Sequence, residues 1–316
     1  APLPVAEPTL QQALDTLAQL RQSTANPAQP RVLFLSDWTS RVCNAVGADV
    51  KTIDAFYNIF VAACRALEPE FMATVQIVWQ SQAILADPSN YWISVINTGR
   101  HFMLDRVMGD TLKDTDGVGQ VIGRLMKVAD VAGVEPASVS LSSGEAAEAD
   151  MISDFFPAKL PGLTVPTVTM TAAPDVRLKE PVESDAMKTP NDEFFLLDDP
   201  KVHGKSKLKK SFCEPGNIVF NPPIALAEVF AFAKAGSLTI LRSPENGGDK
   251  TYTTVDDLKT DHAAEALHPG DLKAAVTPLV IGVLESLAKA MTADKDIKQA
   301  VKTLKNYQKK ASKAKK

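Results

Sequence analysis

Arg31-Val32-Leu33-Phe34-Leu35-Ser36-Asp37 reads as a buried strand, and its surroundings decide the fold class. Ahead of it, residues 9–21 read as a helix. Thr9 stands at the N-cap, and Leu10, Leu14, Leu17 and Leu20 recur at helical spacing. Asn26-Pro27 and Gln29-Pro30 mark the loop between the two. Downstream from Val50, the residues Ile53, Phe56, Phe60, Ala63 and Leu67 form one apolar helical face. Thr74-Val75-Gln76-Ile77-Val78-Trp79 is a second strand, and residues 80–108 read as a helical hairpin. Ala137–Leu141 and Thr164–Thr169 read as further short strands, the second weakened by Pro166. Strands alternating with helices predict an α/β architecture with a parallel sheet.

Residues 172–204 are rich in Pro, Asp, Glu and Lys and read as an exposed connecting loop. After Lys205 the pattern turns mostly helical, over Ala225–Ala235 and Leu272–Met291, around one short strand at Ser237–Leu241. At 316 residues the chain can bury two cores, and we expect domains over 1–195 and 196–316.

Composition narrows the class. Hydrophobic residues make up 45% and the mean hydropathy is -0.05, as in soluble globular proteins. No apolar run approaches the roughly 20 residues of a membrane span, so no membrane partner is expected. Ala1-Pro2-Leu3-Pro4 lacks the basic and apolar regions of a secretory signal. The cysteines Cys43, Cys64 and Cys213 are few and odd in number, which suits a reducing, cytoplasmic compartment. No Cys or His spacing suggests a metal. The net charge of -4 hides nine Lys against two Asp between Thr292 and Lys316. A basic end on an acidic body points to a polyanion, with RNA the obvious candidate, while the plain alternative is a solvated, frayed tail.

Two stretches carry more specific information. One is Lys205-Ser206-Lys207-Leu208-Lys209-Lys210-Ser211-Phe212-Cys213-Glu214-Pro215-Gly216-Asn217. The other is Asn246-Gly247-Gly248-Asp249-Lys250-Thr251-Tyr252-Thr253, followed by Leu267-His268-Pro269-Gly270-Asp271-Leu272-Lys273. With the strand Leu238-Thr239-Ile240-Leu241-Arg242 between them, their order and spacing closely resemble the tRNA-reading half of eukaryotic and archaeal-type tyrosyl-tRNA synthetases. The resemblance is strongest over about 205–281. It implies a Rossmann-like class I catalytic-type domain followed by a mainly helical anticodon-binding domain.

The catalytic signatures of that family are missing. Class I enzymes carry His-x-Gly-His at a helix N-terminus, where it stabilises charge on the ATP phosphates. The four histidines here, His101, His203, His262 and His268, do not form it. The Lys-Met-Ser-x-Ser loop is replaced by Asp185-Ala186-Met187-Lys188-Thr189-Pro190, in which only Met187 fits. The family's Tyr, Gln and Asp of the tyrosine pocket, aligned on Gly123, become Met126, Asp130 and Gly133. Its Gln-Phe-Gly-Gly-x-Asp-Gln-Arg segment becomes Ser142-Ser143-Gly144-Glu145-Ala146-Ala147-Glu148-Ala149. Glu148 puts a charge where a neutral amide is expected, and Glu145 puts a side chain where Gly admits ligand. A site that has lost the partners of a phenolic hydroxyl loses orders of magnitude in selectivity.

The resemblance is closest to the C-terminal half of kinetoplastid-type double-length enzymes, whose two halves fold as a pseudo-dimer and whose C-terminal half lacks both signatures. It implies no cofactor in this half, with ATP and Mg2+ acting only in a catalytic partner half. It also implies tRNA(Tyr) as the nucleic-acid partner. Asp271 would accept from the adjacent N1–H and N2–H of anticodon G34, a donor pair that only guanine offers. Pro269 would shape the turn and His268 would meet a flanking nucleotide. Asn246 stands where the family has a stacking aromatic, with Tyr252 the nearest substitute. Lys205, Lys207, Lys209, Lys210 and Lys250 would meet phosphates. The plain reading of Asp271 is a cap on a helix beginning at Leu272. Cys213 reads as a small buried residue. The rival functions are an active synthetase with eroded motifs and an interaction protein that has left translation.

Overall fold

In a computed structural model of the chain, residues 1–22, 30–180 and 189–314 are described. They form two compact units, one of residues 1–6, 14–172 and 295–316, the other of residues 7–13 and 173–294.

The first unit takes in most of α1 (Leu10–Gln22), then β1 (Arg31–Leu35), α2 (Asp37–Val42), α3 (Val50–Leu67), α4 (Pro69–Met72) and β2 (Val75–Trp79). It continues through α5 (Gln80–Ala86), α6 (Pro88–His101), α7 (Leu104–Met108), α8 (Val118–Val134), β3 (Ser138–Leu141), α9 (Ala146–Lys159) and β4 (Thr167–Met170). Thr9 caps α1 as its sequence position predicts, its Oγ1 accepting from the Gln12 amide at 3.1 Å. The alternation of strand and helix yields parallel pairing, β1 with β2 and β3 with β4. The fold class is therefore α/β, but the sheet is two separate parallel pairs.

Helices pack around these strands through residues the periodicity picks out: Ile53, Phe56, Phe60 and Ala63 of α3 are fully buried or nearly so. Gly119 and Gly123 let α8 approach α2. A Cβ on the first would lie 2.0 Å from the Val42 carbonyl oxygen, and on the second 2.4 Å from the Cys43 thiol.

The second unit holds a single π-helical turn at Pro200–Gly204 leading into α10 (Lys205–Lys210), then α11 (Pro222–Ala227) and α12 (Ala233–Ala235), joined by a π-helical turn. The antiparallel hairpin β5 (Leu238–Ile240) and β6 (Lys250–Tyr252) follows, then α13 (Val255–Ala263) and α14 (Pro269–Ala290).

The units do not follow the expected boundary at residue 195. The Leu10 amide donates to the Phe194 carbonyl at 2.8 Å and the Leu196 amide to Pro8 at 2.9 Å, so the start of α1 goes with the second unit. The basic C-terminal segment, in turn, is not a frayed tail. It forms α15 (Lys295–Ala314) and packs on α3 of the first unit, burying Ala300 and Leu304. Its lysines 295, 298, 302, 305, 309 and 313 stay exposed along the other side. The reason is visible in hindsight: Ile297, Val301 and Leu304 repeat at helical spacing beneath the lysines.

Candidate nucleic-acid interface

The first turn of α14 carries the sequence-predicted anticodon residues. Pro269 takes the first helical position, which suits its fixed φ and missing N–H. His268 is the N-cap, its Nδ1 accepting from the Gly270 amide at 3.0 Å. That displaces the plain reading of Asp271, because the helix starts three residues earlier than Leu272 and its cap is already filled. Asp271 lies at the third helical position, half-buried, and its carboxylate has no hydrogen-bond or ion-pair partner among the described residues. An acidic side chain there is favoured by the partial positive charge of the helix start.

The neighbouring Gly-Gly loop is stitched to this turn by Arg242, which sequence reasoning passed over. Its Nε donates to the Gly248 carbonyl at 2.9 Å, its Nη1 to Ala266 at 3.0 Å, and its amide donates to Asp249 at 2.9 Å. Gly247 and Gly248 have φ of +88° and +69°, where a side chain would be strained. Asn246 ends a short 3-10 turn in this loop, and its side chain lies outside the described residues.

Two predicted contacts do not survive the geometry. Tyr252 is 1% exposed, with its hydroxyl donating to Asp261 at 2.7 Å, so its ring cannot stack on a base. Period-two alternation in β6 turns it inward. Lys207 is 2% exposed and holds Asp198 at 2.6 Å and the Glu193 carbonyl at 2.8 Å, beneath the Phe195 ring. Burial pulls its ammonium down, partly opposed by Asp198. It is a structural ion pair that no phosphate can reach. Lys205, Lys209 and Lys210 are exposed on α10. Lys250 is exposed but already pairs with Asp261 at 2.5 Å. Lys250 and the Tyr252 hydroxyl hold that carboxyl below its ordinary range.

The conspicuous Cys-Glu-Pro-Gly-Asn turn serves the core. Buried His262 places Nε2 2.9 Å from the Asn221 amide and 3.1 Å from the Glu214 carbonyl, pinning the turn to α13 and α11. Cys213 is half-buried beside Asn221, and burial raises its thiol.

In the first unit several of the expected pocket positions are engaged by the chain's own residues. Met126 is fully buried with Ile84, Val95 and Ala129. Asp130 accepts from Gln80 Nε2 at 3.0 and 2.9 Å and from the Tyr91 hydroxyl at 2.9 Å. Burial pushes its carboxyl to about 7 even though those hydrogen bonds oppose the shift. Gly133 is exposed near the end of α8. Ser142 and Glu145 form a capping box. Burial pushes Glu145 upward, but Lys127 at 2.9 Å and the Ser142 bonds outweigh it and hold the carboxyl at about 2. Glu148 pairs with Arg124 at 2.9 Å, which also binds the Val107 and Met108 carbonyls and Thr111. Gln80, Tyr91 and Arg124 gave no signal in the sequence, because each acts through residues distant in the chain. Met187 lies outside the described residues.

The α5–α8 side of this unit exposes Leu85, Ile93, Ile96, Met103, Leu104 and Val118. No group of three or more His, Cys, Asp or Glu among the described residues could hold a metal, and no single helix there is long and apolar enough to cross a membrane.

No family model matches the chain. It is 27% identical over 291 residues to the tyrosine–tRNA ligase of Pyrococcus furiosus, covering 81% of this chain and 76% of that one. It is 23% identical over 281 residues to the cytoplasmic tyrosine–tRNA ligase 1 of Arabidopsis thaliana, covering 87% and 72%. The Leishmania major tyrosyl-tRNA synthetase structure superposes with a TM-score of 0.78 at 25% identity. That match covers 99% of this chain, which spans only 44% of the Leishmania chain. The Pyrococcus horikoshii tyrosyl-tRNA synthetase gives a TM-score of 0.79 at 22% identity, covering 95% and 88%. In sequence over most of its 316 residues, and in fold, the chain is similar to tyrosyl-tRNA synthetases of archaeal and eukaryotic type.

Proposed function

We propose that this chain is the non-catalytic half of a tyrosine–tRNA ligase. It reads the anticodon of tRNA(Tyr) and pairs, as one half of a pseudo-dimer, with a catalytic half that performs ATP-dependent tyrosylation in the cytoplasm. The observation that carries the reading is a contrast between two sites. The Asp271 carboxylate is only half-buried and has no hydrogen-bond or ion-pair partner among the described residues. Asp130, at a substrate-binding position of the resemblance, is held by Gln80 and Tyr91, and Glu148, at another, is paired through one carboxylate oxygen with Arg124.

The first site can discriminate guanine because its carboxylate offers two acceptors to adjacent donors. At the second, Asp130 is committed to Gln80 and Tyr91, and the Glu148 oxygen left over by Arg124 is buried. Without His-x-Gly-His there is also no histidine pair for developing phosphate charge. ATP and Mg2+ accordingly belong to the partner half. The exposed apolar side chains of α5–α8 form the face offered to that half. The 44% coverage of the Leishmania chain is what half of a double-length enzyme would give.

The test is tRNA binding by this chain, with and without a catalytic tyrosyl-tRNA synthetase half, using tRNA with G34 or a substituted base. Preference for G34, together with no tyrosine-dependent pyrophosphate exchange by the isolated chain, is the expected result. Exchange by the isolated chain would instead establish an active enzyme with eroded motifs. Loss of all tRNA binding would establish a protein that has left translation.

A further inference from the structure

The outer side of α15 is a single row of lysines. At 3.6 residues per turn, Lys295, Lys298, Lys302, Lys305, Lys309 and Lys313 fall within an arc of about 80°, along roughly 27 Å of helix. All six are exposed, and exposed Lys310 flanks the row. The helix carries seven Lys against one acid, Asp296, which lies well outside that arc. On the opposite side Ala300 and Leu304 are buried, Ile297, Val301 and Tyr307 partly so, and the helix packs on α3. The Gln308 side-chain amide adds a second anchor, donating to the Ala6 carbonyl at 2.6 Å. Docking therefore holds the row straight and facing outward.

Such a row works against the isolated fold. Residues three and four apart on a helix are neighbours, and like charges at those spacings destabilise it. All five successive pairs, from Lys295 and Lys298 to Lys309 and Lys313, are of this kind. A helix face built for solubility alone intersperses acids among its bases. Among the described residues none of the six lysines has an ion-pair partner.

We propose that α15 is a rail for the phosphates of a paired RNA segment, holding it without reading its sequence. A regular row of one sign complements a target whose opposite charge repeats regularly. A duplex carries one phosphate charge per about 1.7 Å of its axis, on the order of 16 along the row. The row holds Lys and no Arg. An ammonium is a point charge without the planar fork that reads guanine edges, so its contacts stay on the backbone. No aromatic side chain stands in the row to stack unpaired bases, which favours paired RNA. An anionic membrane fits less well, because surface helices insert an apolar face, and that of α15 is occupied by α3. The rail belongs to the first unit and Asp271 to the second, so it does not depend on anticodon reading. Only the choice of RNA as the source of the phosphates rests on the proposed tRNA-binding role.

The experiment measures binding of the full chain to an RNA hairpin of about twelve base pairs that lacks the tyrosine anticodon, by fluorescence anisotropy across a salt series. Each phosphate contact adds about 0.7–0.9 to the slope of log affinity against log salt. Lys298→Gln, Lys302→Gln, Lys305→Gln and Lys309→Gln together should lower that slope by about three and weaken low-salt binding at least about tenfold. The Tm should stay level or rise, since like charges are removed. The same four positions changed to Arg keep the charge and should keep the slope. A control with Lys113, Lys159, Lys201 and Lys289, all exposed, changed to Gln makes the same change in net charge and should move the slope by less than about one. Asp271→Ala should leave hairpin binding unchanged, and the row variant should keep any preference for G34, which separates the two readings. An unchanged slope in the row variant, an equal loss in the control, or row-dependent binding to phosphatidylserine vesicles in place of RNA overturns the proposal.

Discussion

Replacing Asp271 with alanine should separate the proposed base reading from folding. The carboxylate has no partner within the described protein, so its removal orphans no donor. The folded state loses only a favourable charge in the first turn of α14, worth about 0.3–1 kcal/mol. The helix keeps its cap, because His268 Nδ1 holds the Gly270 amide. The binding loss is larger. A bidentate carboxylate–guanine contact discriminates by roughly 1–3 kcal/mol, which is about 5- to 150-fold in affinity. Among the described residues no side-chain bond of Asp271 would have to break before it met a base, so the upper part of that range is the expectation. Half-burial beside Leu272 limits competition from water.

The assay is fluorescence anisotropy with tRNA bearing G34, inosine or adenine, at one fixed salt concentration. Inosine lacks the exocyclic amine and isolates one of the two bonds. Wild-type protein should prefer G34, and Asp271→Ala should bind all three alike with a nearly unchanged Tm. Charge screening scales with phosphate contacts, so the G34 preference should persist as salt rises while overall affinity falls. Undiminished G34 preference in Asp271→Ala, or none in the wild type, refutes the reasoning.

Other perturbations give equally direct readouts. Lys207→Ala should cost about 3–5 kcal/mol in denaturant unfolding, since it strands Asp198 in the interior; Lys207→Met, equally uncharged, should leave the salt slope of tRNA binding unchanged, whereas Lys209→Ala with Lys210→Ala should flatten it by about one unit each. Asp130, held near 7 by burial, makes the folded state bind a proton that the unfolded chain releases near its ordinary value. Its contribution is therefore present below about pH 4 and lost as pH rises towards 7, by an amount of order 4 kcal/mol. Asp130→Asn should flatten that part of the stability–pH curve, and an unchanged curve counts against the buried-acid assignment. Leu304→Ala should cost about 2–5 kcal/mol in thermal or chemical unfolding if α15 is docked on α3, and almost nothing if it were free.

Much of the frame was legible locally. β1 and β2 stand within a residue or two of the strands read from Arg31–Asp37 and Thr74–Trp79, because short apolar runs bounded by polar turns leave little choice. α14 was visible from Leu272 onward, but its true start at Pro269 required the His268 cap, a side-chain bond that periodicity does not encode. α15 was hidden by its own lysines: nine positive charges at the end of the chain drew attention from the apolar stripe beneath them.

The sequence alone determined the α/β class, the absence of the His-x-Gly-His signature and the place of Asp271 in its motif. Each of these is a matter of residue order and local periodicity. Tertiary structure decided which charges remain available: Lys207 and Lys209 are near neighbours in one basic run, yet one is sealed against Asp198 and the other faces water. It also decided that Tyr252 points into the core and that Asp130 is claimed by Gln80 and Tyr91. Burial and partnership arise between segments tens of residues apart, and no pattern along the chain records which of them will meet.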